Sequence, residues 1–99
     1  MLNNKEVSKK LEEVSTKLNE VVDLYAKGEI VVEKFINDLW ALHYKVNNIS
    51  YENAETITQD PKLLRISRTL FQEIFKYINQ HYSSAKAEEN QKDDDHIYF

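Results

Sequence analysis

Across 99 residues the chain has one glycine, Gly28, and one proline, Pro61. A β-rich or mixed chain of this length reverses direction many times and needs several of each to do so, whereas long helices need few turns. The scarcity of both residues therefore points to an all-α fold, with breaks expected near positions 28 and 61.

The apolar pattern fits. Val7, Leu11, Val14, Leu18, Val21 and Tyr25 alternate spacings of four and three, which sets them on one face of a helix from Lys5 to Tyr25. Gly28 is the natural left-handed terminator of that helix. Val32, Phe35, Ile36, Leu39, Trp40, Leu42, His43 and Val46 give a second helix with a wider apolar face, expected to end near Asn47 and Asn48. The short connection at 27–30 predicts an antiparallel hairpin.

Residues 49–59 read as either a loop or one or two helical turns covering the bundle end. Asp60 before Pro61 is a strong helix start, a capping carboxylate followed by a residue tolerated in the first turn. A third helix follows, carried by Leu63, Leu64, Ile66, Leu70, Phe71, Ile74, Phe75, Ile78 and Tyr82. The expected architecture is a compact antiparallel bundle of three to four helices over 1–82, with an acidic tail over 83–99. That tail has five acids and two lysines, so it carries −3 of the net charge of −4 and leaves −1 for the rest.

Acidity disfavours nucleic acid as a partner, because phosphate binding depends on clustered Lys and Arg. A protein with a basic surface is the better electrostatic match. The first residues, MLNNKEVSKKLEEV, have no continuous apolar run, and no window approaches the ~18 apolar residues of a membrane span. With no cysteine there are no disulfides, which is compatible with a cytoplasmic setting.

No catalytic or cofactor site is expected. His43, His81 and His96 form no HxxxH or HExxH pair, so no metal site is read from them. His43 reads as a packing residue, and His81 as a surface residue near a helix end, where a cation meets the favourable end of the dipole. Arg65 and Arg68 precede His81 by 13 residues or more. On one helix that is ~20 Å, too far for a shared nucleolytic site. Ser8, Ser15, Ser50, Ser67, Ser83 and Ser84 have no activating context, and adjacent acids such as Glu12 and Glu13 diverge by ~100° on a helix.

The surface is more informative. Tyr44, Tyr51 and Tyr77 fall at the edges of their apolar stripes, and exposed tyrosines beside carboxylates make interface anchors with a charged rim. The candidate partner-binding residues are these three tyrosines, Glu52, Glu55 and Asp60 in the middle connection, and Glu88, Glu89, Asp93, Asp94 and Asp95 in the tail.

The segment LYAKGEIVVEKFINDLWALHY (24–44) resembles the first hairpin of the colicin D-type immunity proteins, and TLFQEIFKYI (69–78) resembles a later helix of that family. Related partners serve in contact-dependent inhibition. The resemblance implies a small acidic helical bundle that neutralises a tRNA-cleaving toxin by blocking its basic cleft. Carboxylates that imitate phosphates suit that task and accelerate association. The bacteriocin immunity proteins of Gram-positive bacteria share this size and form and are an alternative. A non-catalytic, self-associating helical scaffold or chaperone subunit is another. A monomer is expected of an inhibitor, and a stable homodimer burying aromatic faces of a scaffold.

Overall fold

The computed structural model describes the backbone of residues 2–92 and the side chains of residues 2–81. Four helices follow one another among the described residues: α1 (Asn4–Ala26), α2 (Val32–Glu52), α3 (Ala54–Thr58) and α4 (Pro61–Lys92).

α1 opens with a reciprocal cap. The Glu6 amide donates to Asn3 Oδ1 at 2.9 Å, and the Asn3 amide donates to Glu6 Oε1 at 3.1 Å. Two otherwise unsatisfied donors are thereby satisfied. Its buried stripe is Val7, Leu11, Val14, Leu18 and Val21, as the spacing predicts. At the other end the Glu29 amide reaches Leu24 O (2.9 Å) and the Gly28 amide reaches Tyr25 O (3.0 Å). This is the paired closure of a Schellman motif, with Gly28 at φ +75°.

α2 follows Val31 at its N-cap position, whose side chain provides no cap. The helix does not stop at Asn47 and Asn48 but continues to Glu52. Two asparagines cost only a few tenths of a kcal/mol each in helix propensity. Ile49 continues the stripe from Val46 and is buried, a gain of about 1.5–3 kcal/mol that outweighs them.

Residues 49–59 are thus the last turn of α2, a break at Asn53 and the single turn α3, which buries Ile57. Asn53 is itself buried. Its Oδ1 accepts from the Leu2 amide (2.9 Å), and its Nδ2 donates to Ile49 O (2.9 Å). Thr56 Oγ1 donates to Leu2 O at 2.9 Å. Both backbone polar groups of Leu2 are therefore held by residues 51 and 54 positions later.

Asp60 caps α4 as expected: its Oδ1 accepts from the Lys62 and Leu63 amides (3.0 and 3.4 Å). Its Oδ2 also accepts from Asn4 Nδ2 at 2.6 Å, tying the start of α4 to the start of α1. α1 and α4 therefore run side by side in the same direction, with α2 antiparallel to both and α3 closing the corner. α2 packs against both neighbours, and the α1–α4 seam is the thinnest of the three. Leu63, Leu70, Ile74 and Ile78 of α4 complete the core. α4 does not end at Tyr82; its backbone continues through the first ten residues of the segment read as tail.

Candidate interaction surfaces

The core consumes most of the aromatic residues at the Gly28 end. Tyr25 stacks on Phe35 (centroids 4.2 Å apart, 4° between planes), and His81 meets both rings edge-on at 5.1 and 5.2 Å. Tyr77 packs its edge against Phe35 at 6.4 Å and lies over the core. Two expectations change here. His81 is a half-buried aromatic neighbour and not a surface residue at a helix end, since α4 continues eleven residues past it. Tyr77 is half-buried, its ring taken up by the bundle, and is no free anchor.

Tyr44 and Tyr51 are exposed, at 67% and 85%. They continue a stripe on α2 that begins with Trp40, which is 45% exposed. Spacings of four and seven keep the three on one face. Phe75 of α4, 42% exposed, borders the same face. His43 lies between the two helices, with ring centroids 5.4 Å from Trp40, 4.3 Å from Phe71 and 5.8 Å from Phe75. Its Nε2 is buried without a hydrogen-bond partner. Burial lowers its pKa below the ordinary 6.5, because a charged ring is poorly solvated there. His43 is the packing residue that the sequence suggests. Trp40 and Phe75 read as core from the pattern, but here they are the rim of an exposed aromatic patch.

The acidic candidates divide. Asp60 uses both carboxylate oxygens in the cap and the Asn4 bond, so its role is structural. Glu52 and Glu55 are exposed at the α2–α3 corner, and neither belongs to an ion pair among the described residues. Glu52 lines an open groove of about 460 Å³ between α1 and α2, shared with Lys10, Lys45 and Asn48. A second groove, about 360 Å³, separates α1 from α4 and is lined by Ser8, Ser15, Arg65, Ile66, Thr69 and Glu73. Glu88 and Glu89 fall on the backbone of α4 beyond the described side chains, and Asp93, Asp94 and Asp95 lie outside the described residues, as does His96.

Ion pairs among the described residues are local to one helix or its cap: Lys17–Glu20, Lys27–Asp23 and Lys34–Asp38 at 3.9, 3.0 and 3.3 Å. Exposed pairs of this kind contribute little to stability. Among the described residues no group of three or more His, Asp or Glu side chains is arranged to hold a metal ion, and no helix is long and apolar enough to cross a membrane. Comparison with protein families, with curated proteins and with solved structures finds no match to this chain.

Proposed function

We propose that this chain is a non-catalytic binding protein that neutralises a bacterial toxin domain in the cytoplasm, using the α2–α3 corner and the acidic C-terminal segment against a basic cleft. The observation that carries the reading is Tyr51. Among the described residues it is the most exposed of the large apolar side chains, at 85%, and it lies at the same α2–α3 corner as the exposed Glu52 and Glu55. A rigid aromatic ring with a charged rim is an economical anchor, because few rotamers are lost when it is buried. The resemblance of 24–44 and 69–78 to colicin D-type immunity proteins supports the same class, and bacteriocin immunity is its nearest variant.

The test is co-expression with candidate basic toxin domains, beginning with any that a neighbouring gene encodes. Growth rescue and co-purification are expected, with Tyr51→Ala combined with Glu55→Lys weakening capture about tenfold or more. No rescue and no capture would rule the reading out.

A second reading, a self-associating helical module, is favoured by a different observation. Trp40, Tyr44 and Phe75 continue the Tyr51 stripe two turns and more from that corner and are bordered by amides rather than acids, with Asn37 on α2 and Gln72 and Asn79 on α4, all exposed.

A further inference from the structure

We propose that the α2–α4 aromatic face pairs with the same face of a second copy about a two-fold axis that lies in the interface, crosses both helices at right angles and passes at the level of Trp40 and Phe75. The inference rests on the second reading above and does not require the toxin.

The argument is one of register. α2 and α4 are antiparallel neighbours, and the ring contacts of His43 with Trp40, Phe71 and Phe75 set Trp40 and Phe75 at about one height on either side of the groove. Both helices turn these stripes away from α1. The α1-facing flanks are instead those of Lys45, Asn48 and Glu52 on α2 and of Arg65, Ile66 and Glu73 on α4. Glu33 precedes Trp40 by seven residues, and Arg68 precedes Phe75 by seven. Each is therefore ~10 Å from the Trp40–Phe75 level. Because the helices run oppositely, Glu33 marks one end of the face and Arg68 the other.

The proposed rotation keeps each helix on its own side and reverses it end for end. α2 then lies antiparallel on α2 of the second copy, and α4 on α4. Trp40 meets Trp40 and Phe75 meets Phe75 at the axis, which makes a cluster of four rings. One turn away Tyr44 faces Asn37 of the second copy on the α2 side, and Gln72 faces Asn79 on the α4 side. Two turns away the Glu33 end of each copy comes onto the Arg68 end of the other. Glu33 there lies over Asn47 and reaches diagonally across the groove towards Arg68, and the axis makes this contact twice.

The charges choose between the two symmetric ways of closing such a face. A two-fold axis parallel to the helices would set α2 on α4 but bring like ends together, with Glu33 towards Glu33 and Arg68 towards Arg68. The perpendicular axis brings unlike ends together and has no such repulsion. Glu33, Asn37, Asn47, Arg68, Gln72 and Asn79 are all exposed, and neither Glu33 nor Arg68 takes part in an ion pair among the described residues.

An isologous contact of this kind needs one self-complementary patch. At 45%, 67% and 42% exposure, Trp40, Tyr44 and Phe75 leave about 300 Å² of aromatic surface per copy, taking ~200 Å² for a whole ring residue. The turns on either side about double this. The total approaches the ~1,200 Å² at which specific interfaces begin, which corresponds to a reversible dimer and not an obligate one.

Sedimentation equilibrium of the full chain from ~1 μM to ~1 mM is the test, with circular dichroism to verify folding of each variant. A reversible dimer with a dissociation constant in the micromolar range is expected. Trp40→Ala should abolish it. Glu33→Arg or Arg68→Glu alone should raise the dissociation constant about tenfold or more, by creating like-charge contacts on both sides of the axis, and the double reversal should restore it. A monomer throughout would overturn both the pairing and the self-association reading. A dimer unaffected by Trp40→Ala, or single reversals that the double does not rescue, would overturn this pairing while self-association stands.

Discussion

His43 is held against three aromatic rings, and its buried Nε2 meets no acceptor or donor. Because burial places its folded-state pKa below 6.5, the folded protein binds fewer protons than the unfolded chain in that range. The stability this neutral ring contributes is complete above pH ~6.5 and declines as pH falls from there through the folded-state value. Urea midpoints measured between pH 8 and 5 should follow that course, and His43→Phe should flatten it; an unchanged slope in the variant would assign the effect elsewhere. Asn53 is a sharper case, since Oδ1 holds the Leu2 amide and Nδ2 the Ile49 carbonyl in a buried site. Asn53→Ala should cost about 2–3 kcal/mol in denaturant unfolding, more than any exposed asparagine. At this scale the sequence is only partly legible. Tyr44 and Tyr51 are recognisable as edge residues because they fall outside the four–three spacing of Phe35, Leu39, Leu42, Val46 and Ile49. Tyr77, Trp40 and Phe75 mislead, because a wide apolar face does not reveal which flank the neighbouring helix covers. Nothing in the composition marks Asn53 as buried, since its partner Leu2 lies at the far end of the sequence.

The helices themselves are far more readable. α1 follows from its four–three spacing, its Asn3–Glu6 cap and Gly28, all of which are local. The end of α2 does not, because there the burial of Ile49 and Ile57 against the bundle overrides the weak local preference of the asparagines. Two predictions belong here. A Cβ added at Gly28 meets no atom within 4 Å, so Gly28→Ala tests backbone strain alone. At φ +75° it should lower stability by about 1–2 kcal/mol, read as a shift in thermal midpoint. Val31 stands at the cap of α2 in extended geometry (φ −80°, ψ 162°), exposed and with no side-chain bond. Val31→Ser should raise stability by about 0.5–1 kcal/mol, and failure to do so would mean that the exposed valine contributes packing worth as much as the missing cap.

For the molecule as a whole, charge is unevenly distributed. Residues 2–81 hold eleven basic and twelve acidic side chains, so long-range attraction to the proposed basic partner would depend on the five acids beyond them. Replacing Glu88, Glu89, Asp93, Asp94 and Asp95 with their amides should slow association with a basic toxin domain about tenfold at low salt and leave the thermal midpoint unchanged. Equal association rates before and after the change would place recognition on the α2–α3 corner alone. The clamp on Leu2 bears on how the molecule is made. On a ribosome the hairpin of α1 and α2 can close while later segments are still inside the exit tunnel, but Leu2 stays undocked until Asn53 and Thr56 have emerged. Leu2 is therefore among the last parts of the bundle to find its place, and whatever loosens the α3 turn afterwards releases it again.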